Sequence, residues 1–110
     1  MADNYLVLFV AQEADDEHAE ALRAVAREVP GAGFFVDPWG GQDRTVGTYL
    51  RTNDLAGGAA LILAVARVSE ALAARIEVQF REEILGHLVA GRPDARLAAA
   101  LRLGDIPDPL

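Results

Sequence analysis

The sequence predicts a single α+β domain with a ferredoxin-like β-α-β-β-(β)-α sheet, helices on one face and an extra C-terminal helix. Three observations predict this fold class. A chain of 110 residues has the length of one domain. Its first half places short apolar runs around one amphipathic stretch, and its second half is rich in helix formers. We expect residues 1–104 to form the domain and residues 105–110 to form an extended, Pro-rich tail.

The first strand and the first helix have the plainest signals. Residues 4–12 form a near-continuous apolar run, which is typical of a central strand that is buried on both faces. The helix that follows can be capped by Asp15 or Asp16, and acidic residues in its first turn suit the helix dipole. Its apolar residues recur at i, i+3, i+4 and i+7, and Pro30 and Gly31 end it.

The middle of the chain predicts further strands. Residues 32–37 form a short second strand, and residues 38–43 form a loop that contains one Pro and two Gly. Residues 44–52 alternate in polarity and carry Thr, Val and Tyr, so we expect a third strand there. Residues 59–68 are a long apolar run. We favour a strand, because two Gly precede the run and Ser69 follows it, but its Ala and Leu content leaves a helix open.

Residues 69–90 fit two interpretations. Polar and apolar residues alternate from 75 to 81, as in a strand, yet helix formers dominate from 70 to 85 and no turn residue interrupts them. We favour one helix over 69–90, followed by a short helix over 93–104. The long helix would carry an apolar residue every four positions: Leu72, Ile76, Phe80, Ile84 and Leu88. Residues spaced by four advance about 40° beyond a full turn at each step, so this apolar stripe winds around the helix. One end of the stripe would contact the sheet of its own domain, and the other end would contact a second subunit or partner protein.

The composition argues against several partners. A net charge of -7, with no basic stripe, predicts that the chain binds neither nucleic acid nor an anionic membrane. The longest nearly uncharged apolar run, 55–66, is shorter than the roughly 20 residues that span a bilayer. No basic segment precedes an apolar one at the start, so we expect no signal peptide. The absence of Cys fits a cytoplasmic protein, and ten Arg with no Lys indicate a high-GC bacterial genome.

The residue inventory also excludes several kinds of chemistry. Without Lys or Cys the chain can form no Schiff base, no P-loop lysine contact and no thiolate nucleophile or ligand. Its only serine, Ser69, lacks a nucleophile-elbow motif, and we interpret it as a helix N-cap. His18 follows a run of acids, and we interpret it as part of a solvated helix start, because two ligands are too few for a metal. We expect no metal site and no cofactor.

Three residues are candidates for acid–base catalysis. His87 has Glu83 four residues before it, and on a helix this pair could tune the imidazole as a general base. Asp37 lies at the end of a predicted strand, where site residues are common. Tyr49 offers a phenol on the third strand.

Three further residues are candidates for ligand binding. Trp39 is the only Trp and lies in a Pro- and Gly-containing loop, where it could form a platform for a flat ligand. Arg44 could bind an anion beside it. Arg51 would share a strand face with Tyr49, and the two could bind a carboxylate or a carbonyl oxygen.

Two functions remain open from these residues. The inventory of nucleophiles and metal ligands is poor, which favours an oligomeric interaction or accessory protein without its own catalytic constellation. The alternative is a small-molecule-binding enzyme of the dimeric α/β-barrel type. It would bind a small apolar ligand and use carboxylate, His and Tyr proton transfer, as an isomerase, cyclase or cofactor-free oxygenase does.

Overall fold

The computed structural model describes residues 4–37 and 45–103, and within these ranges the chain forms one six-stranded antiparallel sheet and three α-helices. The α+β class is therefore confirmed. The elements in chain order are β1 (Tyr5–Val10), α1 (Asp16–Glu28), β2 (Gly33–Asp37), β3 (Thr45–Arg51), α2 (Ala59–Leu72), β4 (Arg75–Phe80), β5 (Glu83–Val89), β6 (Arg92–Pro93) and α3 (Ala95–Leu103), with a single 3-10 turn at Ala56–Gly58.

The strands lie in the order β2-β3-β1-β4-β5-β6. β1 pairs with β3 on one side and with β4 on the other, and both pairings are antiparallel. The connections from β1 to β2 and from β3 to β4 pass through α1 and α2, because each crosses a neighbouring strand. A two-residue turn then joins β4 to β5, and β6 extends the sheet at that edge.

The hydrophobic core lies between one face of this sheet and the helices. Leu6 and Leu8 of β1 are fully buried, and their strand neighbours across the sheet contribute side chains to the same cluster. The core also contains buried residues from each α-helix, such as Leu22, Leu61 and Leu97. Side chains at alternate strand positions point to the same face of the sheet, and the helices cover that face.

The first half of the chain folds largely as its sequence predicts. The strands at Tyr5–Val10, Gly33–Asp37 and Thr45–Arg51 and the helix at Asp16–Glu28 are confirmed. Asp15 is the N-cap, and its side chain accepts a hydrogen bond from the His18 backbone N–H. One detail is wrong, since β1 is central but fully buried only at alternate positions.

The second half corrects two predictions. The run at 59–68 is not a strand but most of helix α2, which extends to Leu72. The long helix over 69–90 does not exist, because β4 and β5 occupy residues 75–80 and 83–89 as a hairpin. The partner interface expected on that helix therefore has no structural basis. The last helix is confirmed, over 95–103.

Burial explains both corrections. In α2 the buried side chains recur with helical spacing, at Leu61, Val65 and Ser69 and beside them at Ile62 and Ala66. In β4 every second residue is buried, so Glu and Gln occupy the outward positions although they favour helices. The turn between β4 and β5 consists of Arg81 and Glu82, both with positive φ of 53° and 68°, where Gly or Asn is usual. The sequence therefore carries no turn signal at this position.

Two polar residues also have roles that differ from those predicted. Ser69 is not an N-cap but lies fully buried in the last turn of α2. Its Oγ donates to the Ala74 carbonyl at 2.6 Å and accepts from the Gly91 N–H at 2.9 Å. The hydroxyl therefore joins the end of α2 to the residue before β4 and to the turn between β5 and β6. His18 is buried rather than solvated, and its Nδ1 accepts from the Asp15 N–H at 3.2 Å in a capping box.

Candidate functional site

The face of the sheet opposite the helices carries the candidate site, and we call it the open face. The registers of the strand pairs set out its side chains in rows across the sheet. One row contains Phe35, Gly47, Phe9, Glu77 and His87, and the next contains Gly33, Tyr49, Val7, Gln79 and Ile84. The open face is thus aromatic over β2, β3 and β1 and becomes polar over β4 and β5.

An aromatic pocket occupies the first of these two regions. It is shallow, with a volume of about 410 Å³, and the described residues that line it are Tyr5, Val7, Phe35, Tyr49, Gln79 and Glu82. The Tyr5 and Tyr49 rings meet edge to face, with centroids 6.1 Å apart and planes at 71°. The Phe35 ring is tilted by 42° to Tyr49 at a centroid distance of 6.4 Å. Tyr5 and Tyr49 remain 37% and 38% exposed, which leaves ring surface available to a ligand.

Two glycines allow these rings to lie against the sheet. A Cβ at Gly33 would overlap the Tyr49 ring, and a Cβ at Gly47 would lie 2.7 Å from both Phe35 Cζ and the Leu8 carbonyl oxygen. Any larger residue at Gly47 would therefore displace the Phe35 ring or the backbone of β1. The pocket depends on glycine at both strand positions, because their lack of a side chain is what lets the rings approach.

A chain of polar side chains begins at the edge of the pocket, and we call it the proton array: Gln79, Glu77, His87 and Asp94. Gln79 lines the pocket, and its Nε2 donates to Glu77 Oε2 at 2.6 Å. The other oxygen of Glu77 lies 3.4 Å from His87 Nε2. Glu77 and His87 are only 17% and 18% exposed, so both groups interact with little competition from water.

Asp94 completes the array on the far side of the imidazole. Its Oδ2 lies 3.5 Å from His87 Nδ1 and accepts the backbone N–H of His87 at 3.1 Å. Its Oδ1 accepts the N–H of Leu97 at 2.8 Å and so caps α3. Burial raises the pKa of Asp94, but the N–H groups of Leu97 and His87 and the nearby imidazole outweigh burial. The pKa of Asp94 therefore lies below its ordinary value of 3.8.

The position of His87 between two carboxylates limits how its protons can be arranged. A neutral imidazole carries one N–H and can donate to only one of Glu77 and Asp94. The imidazolium form carries two and can donate to both. An imidazole held between two carboxylates beside a pocket is an arrangement that general acid–base catalysis can use.

The structure brings only some of the predicted site residues together. Tyr49 lines the pocket, and His87 lies in the proton array on the same face. The prediction that Glu83 is the partner of His87 is wrong. The carboxylates beside His87 are those of Glu77 and Asp94, and Glu83 pairs with Phe80 at the start of β5.

The other four candidates are placed less directly. Arg51 lies opposite Tyr5 at the end of β3, and its side chain is exposed. Asp37 ends β2, where its backbone pairs with Thr45. Trp39 and Arg44 lie outside the described residues, as does the predicted loop around them.

Sequence reasoning missed Glu77, Gln79 and Asp94. The signal for the first two was present in the alternation of residues 75–81, which as a strand places Glu77 and Gln79 on one face. Asp94 follows Pro93 and precedes α3, which is the pattern of a cap, but its contact with His87 depends on the β5–β6 pairing.

Among the residues described, no group of three His, Cys, Asp or Glu side chains is placed to hold a metal ion. None of the described helices is long and apolar enough to cross a membrane. Comparisons with protein-family models, with curated proteins and with solved structures found no match to this chain.

Proposed function

We propose that the open face binds a small, flat, largely apolar molecule and that Glu77 and His87 move a proton to and from it. The protein would then be a cofactor-free proton-transfer enzyme, such as an isomerase, a cyclase or a cofactor-free oxygenase. One observation carries this proposal: Gln79 belongs both to the lining of the aromatic pocket and to the proton array. A ligand in the pocket would therefore lie beside a partly buried carboxylate–imidazole pair.

The chemistry that suits this arrangement is removal of a proton from carbon next to a carbonyl group. The Glu77 carboxylate takes the proton, and the electron pair of the C–H bond moves into the carbonyl to give an enolate. His87 shares the proton with Glu77, and Gln79 holds the Glu77 carboxylate in place through its amide. Return of the proton to a different atom of the ligand completes an isomerisation.

The topology is consistent with a ferredoxin-like arrangement, and we propose that assignment for the first six elements. Their order is β-α-β-β-α-β, and their strands lie as β2-β3-β1-β4 in an antiparallel sheet. The β5–β6 hairpin and α3 would be additions at the β4 edge. In such a sheet the helices cover one face only, which leaves the other face for a ligand or a partner. This likeness supports the location of the site and says nothing about the substrate.

Hydrogen–deuterium exchange on a model ketone tests the proposal. β-Tetralone is flat and largely apolar, and its protons next to the carbonyl are acidic. We expect the protein to accelerate their exchange in D₂O well beyond the rate in buffer alone, when followed by proton NMR. Glu77→Gln and His87→Gln should each reduce the acceleration by about 100-fold or more, which is typical of losing a general base.

Glu83→Gln is the matched control for that experiment. Glu83 directly follows the turn of the same hairpin, as the first residue of β5, but it is exposed and its carboxylate is not among the groups beside His87. This variant should retain the exchange rate of the unmodified chain. An equal loss in Glu83→Gln and Glu77→Gln would mean that general acidity of the surface, and not the proton array, accounts for the exchange.

A second candidate function is the interaction or accessory protein, with a second copy of the chain as its partner. The observation that favours it is the exposed apolar surface of the open face, where Tyr5, Tyr49, Ile84 and Val89 are 37–50% exposed. Native mass spectrometry distinguishes the two cases when combined with the exchange assay. A dimer without exchange activity supports the interaction protein, and activity at any oligomeric state supports the enzyme.

A further inference from the structure

The aromatic pocket has the composition of a site for an organic cation. The rings of Tyr5, Phe35 and Tyr49 line it at different orientations, and Glu82 lines it as well. Aromatic ring faces carry negative potential, so a group of rings at different orientations attracts ammonium groups that have lost part of their hydration. A nearby carboxylate adds a direct charge interaction with the same group.

The charged residues near the pocket support this reading. The nearest cation in sequence to Glu82 is Arg81, but its side chain is directed elsewhere: its guanidinium lies 5.2 Å from the centre of the Phe80 ring and donates to the Asn53 carbonyl oxygen at 2.8 Å. Among the described residues that line the pocket, Glu82 is the only one of a charged residue type. The chain as a whole has a net charge of -7, which attracts cations to its surface.

We propose that the ligand of the open face carries a quaternary or methylated ammonium group and that Tyr5, Phe35, Tyr49 and Glu82 bind it. This inference rests on the proposed function, since it adds a cationic group to the otherwise flat, apolar molecule that the same pocket takes. The ammonium group lies among the rings, and the remainder of the ligand extends along the row that contains Val7 and Gln79. The acidic proton of the ligand then lies at the edge of the proton array, where Gln79 meets Glu77.

Choline and neohexanol test this assignment, because neohexanol has the same shape with a neutral carbon in place of the ammonium nitrogen. Titrations of each compound, followed by amide NMR, give both affinities on one protein sample. We expect choline to bind about five- to thirty-fold more tightly than neohexanol, which is the preference that cation–π contacts of this kind provide. Raising the salt concentration should weaken choline more than neohexanol.

Substitutions identify the groups responsible. Glu82→Gln and Tyr49→Leu should each reduce the preference for choline several-fold, because one loses the carboxylate and the other loses a ring face. Glu83→Gln is the matched control, since it removes the neighbouring exposed carboxylate outside the pocket lining. It should leave the preference unchanged. Tyr49 is 38% exposed and lies on the open face, outside the buried core, so its substitution should not unfold the chain, and circular dichroism checks this.

The outcomes separate this inference from the proposed function. Equal binding of choline and neohexanol, or binding of neither, would overturn the cation assignment, whatever the tetralone result. Selective binding of choline without acceleration of tetralone exchange would support the cation site and overturn proton transfer. Selective binding that persists in Glu82→Gln and Tyr49→Leu would place the cation at another part of the surface and so overturn the assignment to this pocket.

Discussion

At the scale of single residues, Asp94 links the candidate site to the stability of the fold. One of its oxygens caps α3 through Leu97, and the other binds the backbone N–H of His87 and faces its imidazole. Folding depresses the pKa of Asp94, so the ionised carboxylate stabilises the fold above the pKa of the unfolded state. This contribution is lost as the pH falls through the lower pKa of the folded state.

The substitution Asp94→Asn tests that linkage. Asparagine retains an oxygen that can cap α3 but has no charge, so we expect the variant to be less stable than the unmodified chain at neutral pH. The difference in free energy of unfolding should narrow as the pH is lowered from neutral to below 3.8, because protonation then progressively removes the Asp94 charge from the unmodified chain as well. Urea unfolding of both proteins at both pH values measures this difference in free energy. A difference that stays constant or grows on acidification would contradict the role of the charge.

Single residues also show how far sequence reasoning can reach. Tyr49 and His87 could be singled out because phenol and imidazole groups are scarce in this chain and their chemistry is distinctive. Glu77 could not, since it is one of many carboxylates and its importance comes from the 2.6 Å contact with Gln79 and the 3.4 Å approach to His87. The first contact joins neighbours on β4, and the second depends on the β4–β5 register, which pairs Glu77 with His87.

At the scale of secondary structure elements, Ser69 joins three segments that the sequence does not show to be neighbours. Its Oγ lies in the last turn of α2, donates to Ala74 just before β4 and accepts from Gly91 in the β5–β6 turn. Ala73, between α2 and β4, has φ 50°, so the chain reverses sharply at the end of the helix. The buried hydroxyl holds this reversal against the second hairpin.

Ser69→Ala should therefore destabilise the fold although it favours the helix by propensity. The Gly91 N–H would lose its partner in a buried position, and we expect a loss of about 1–3 kcal/mol in the free energy of unfolding. Thr52→Ala is the comparison, because the Thr52 hydroxyl makes a single exposed hydrogen bond to the Asp54 carbonyl at 2.9 Å. Chemical denaturation of both variants measures the two losses. Similar small effects would show that the Ser69 bridge contributes little.

The elements of the first half were predictable because each has a local signal: a cap at Asp15, a stop at Pro30 and Gly31, and β-branched or aromatic strands. The elements from 59 to 89 were not, for two physical reasons. α2 is buried along one side and consists mainly of apolar residues, so its period is hard to distinguish from that of a buried strand. The β4–β5 turn uses Arg81 and Glu82 in a left-handed conformation, which tertiary contacts must stabilise.

At the scale of the whole molecule, the division of the sheet into a covered face and an open face determines the functional account. The helices bury one face, and the open face combines an aromatic pocket with the proton array. No local sequence pattern predicts this combination, because Phe35, Val7 and Glu77 come from three different strands. It follows only from the strand order and the registers, which place their rows side by side.

The most direct test of the central claim is to map where β-tetralone binds. Amide NMR spectra recorded during titration should show the largest shifts at Val7, Tyr49 and Gln79, with small changes along the exposed side of α2 around Leu63. Val7→Arg should abolish these shifts by filling the pocket, and Leu63→Arg, which places the same side chain on an exposed position of α2, should preserve them. Shifts centred on α2, or shifts that survive in Val7→Arg, would contradict the account.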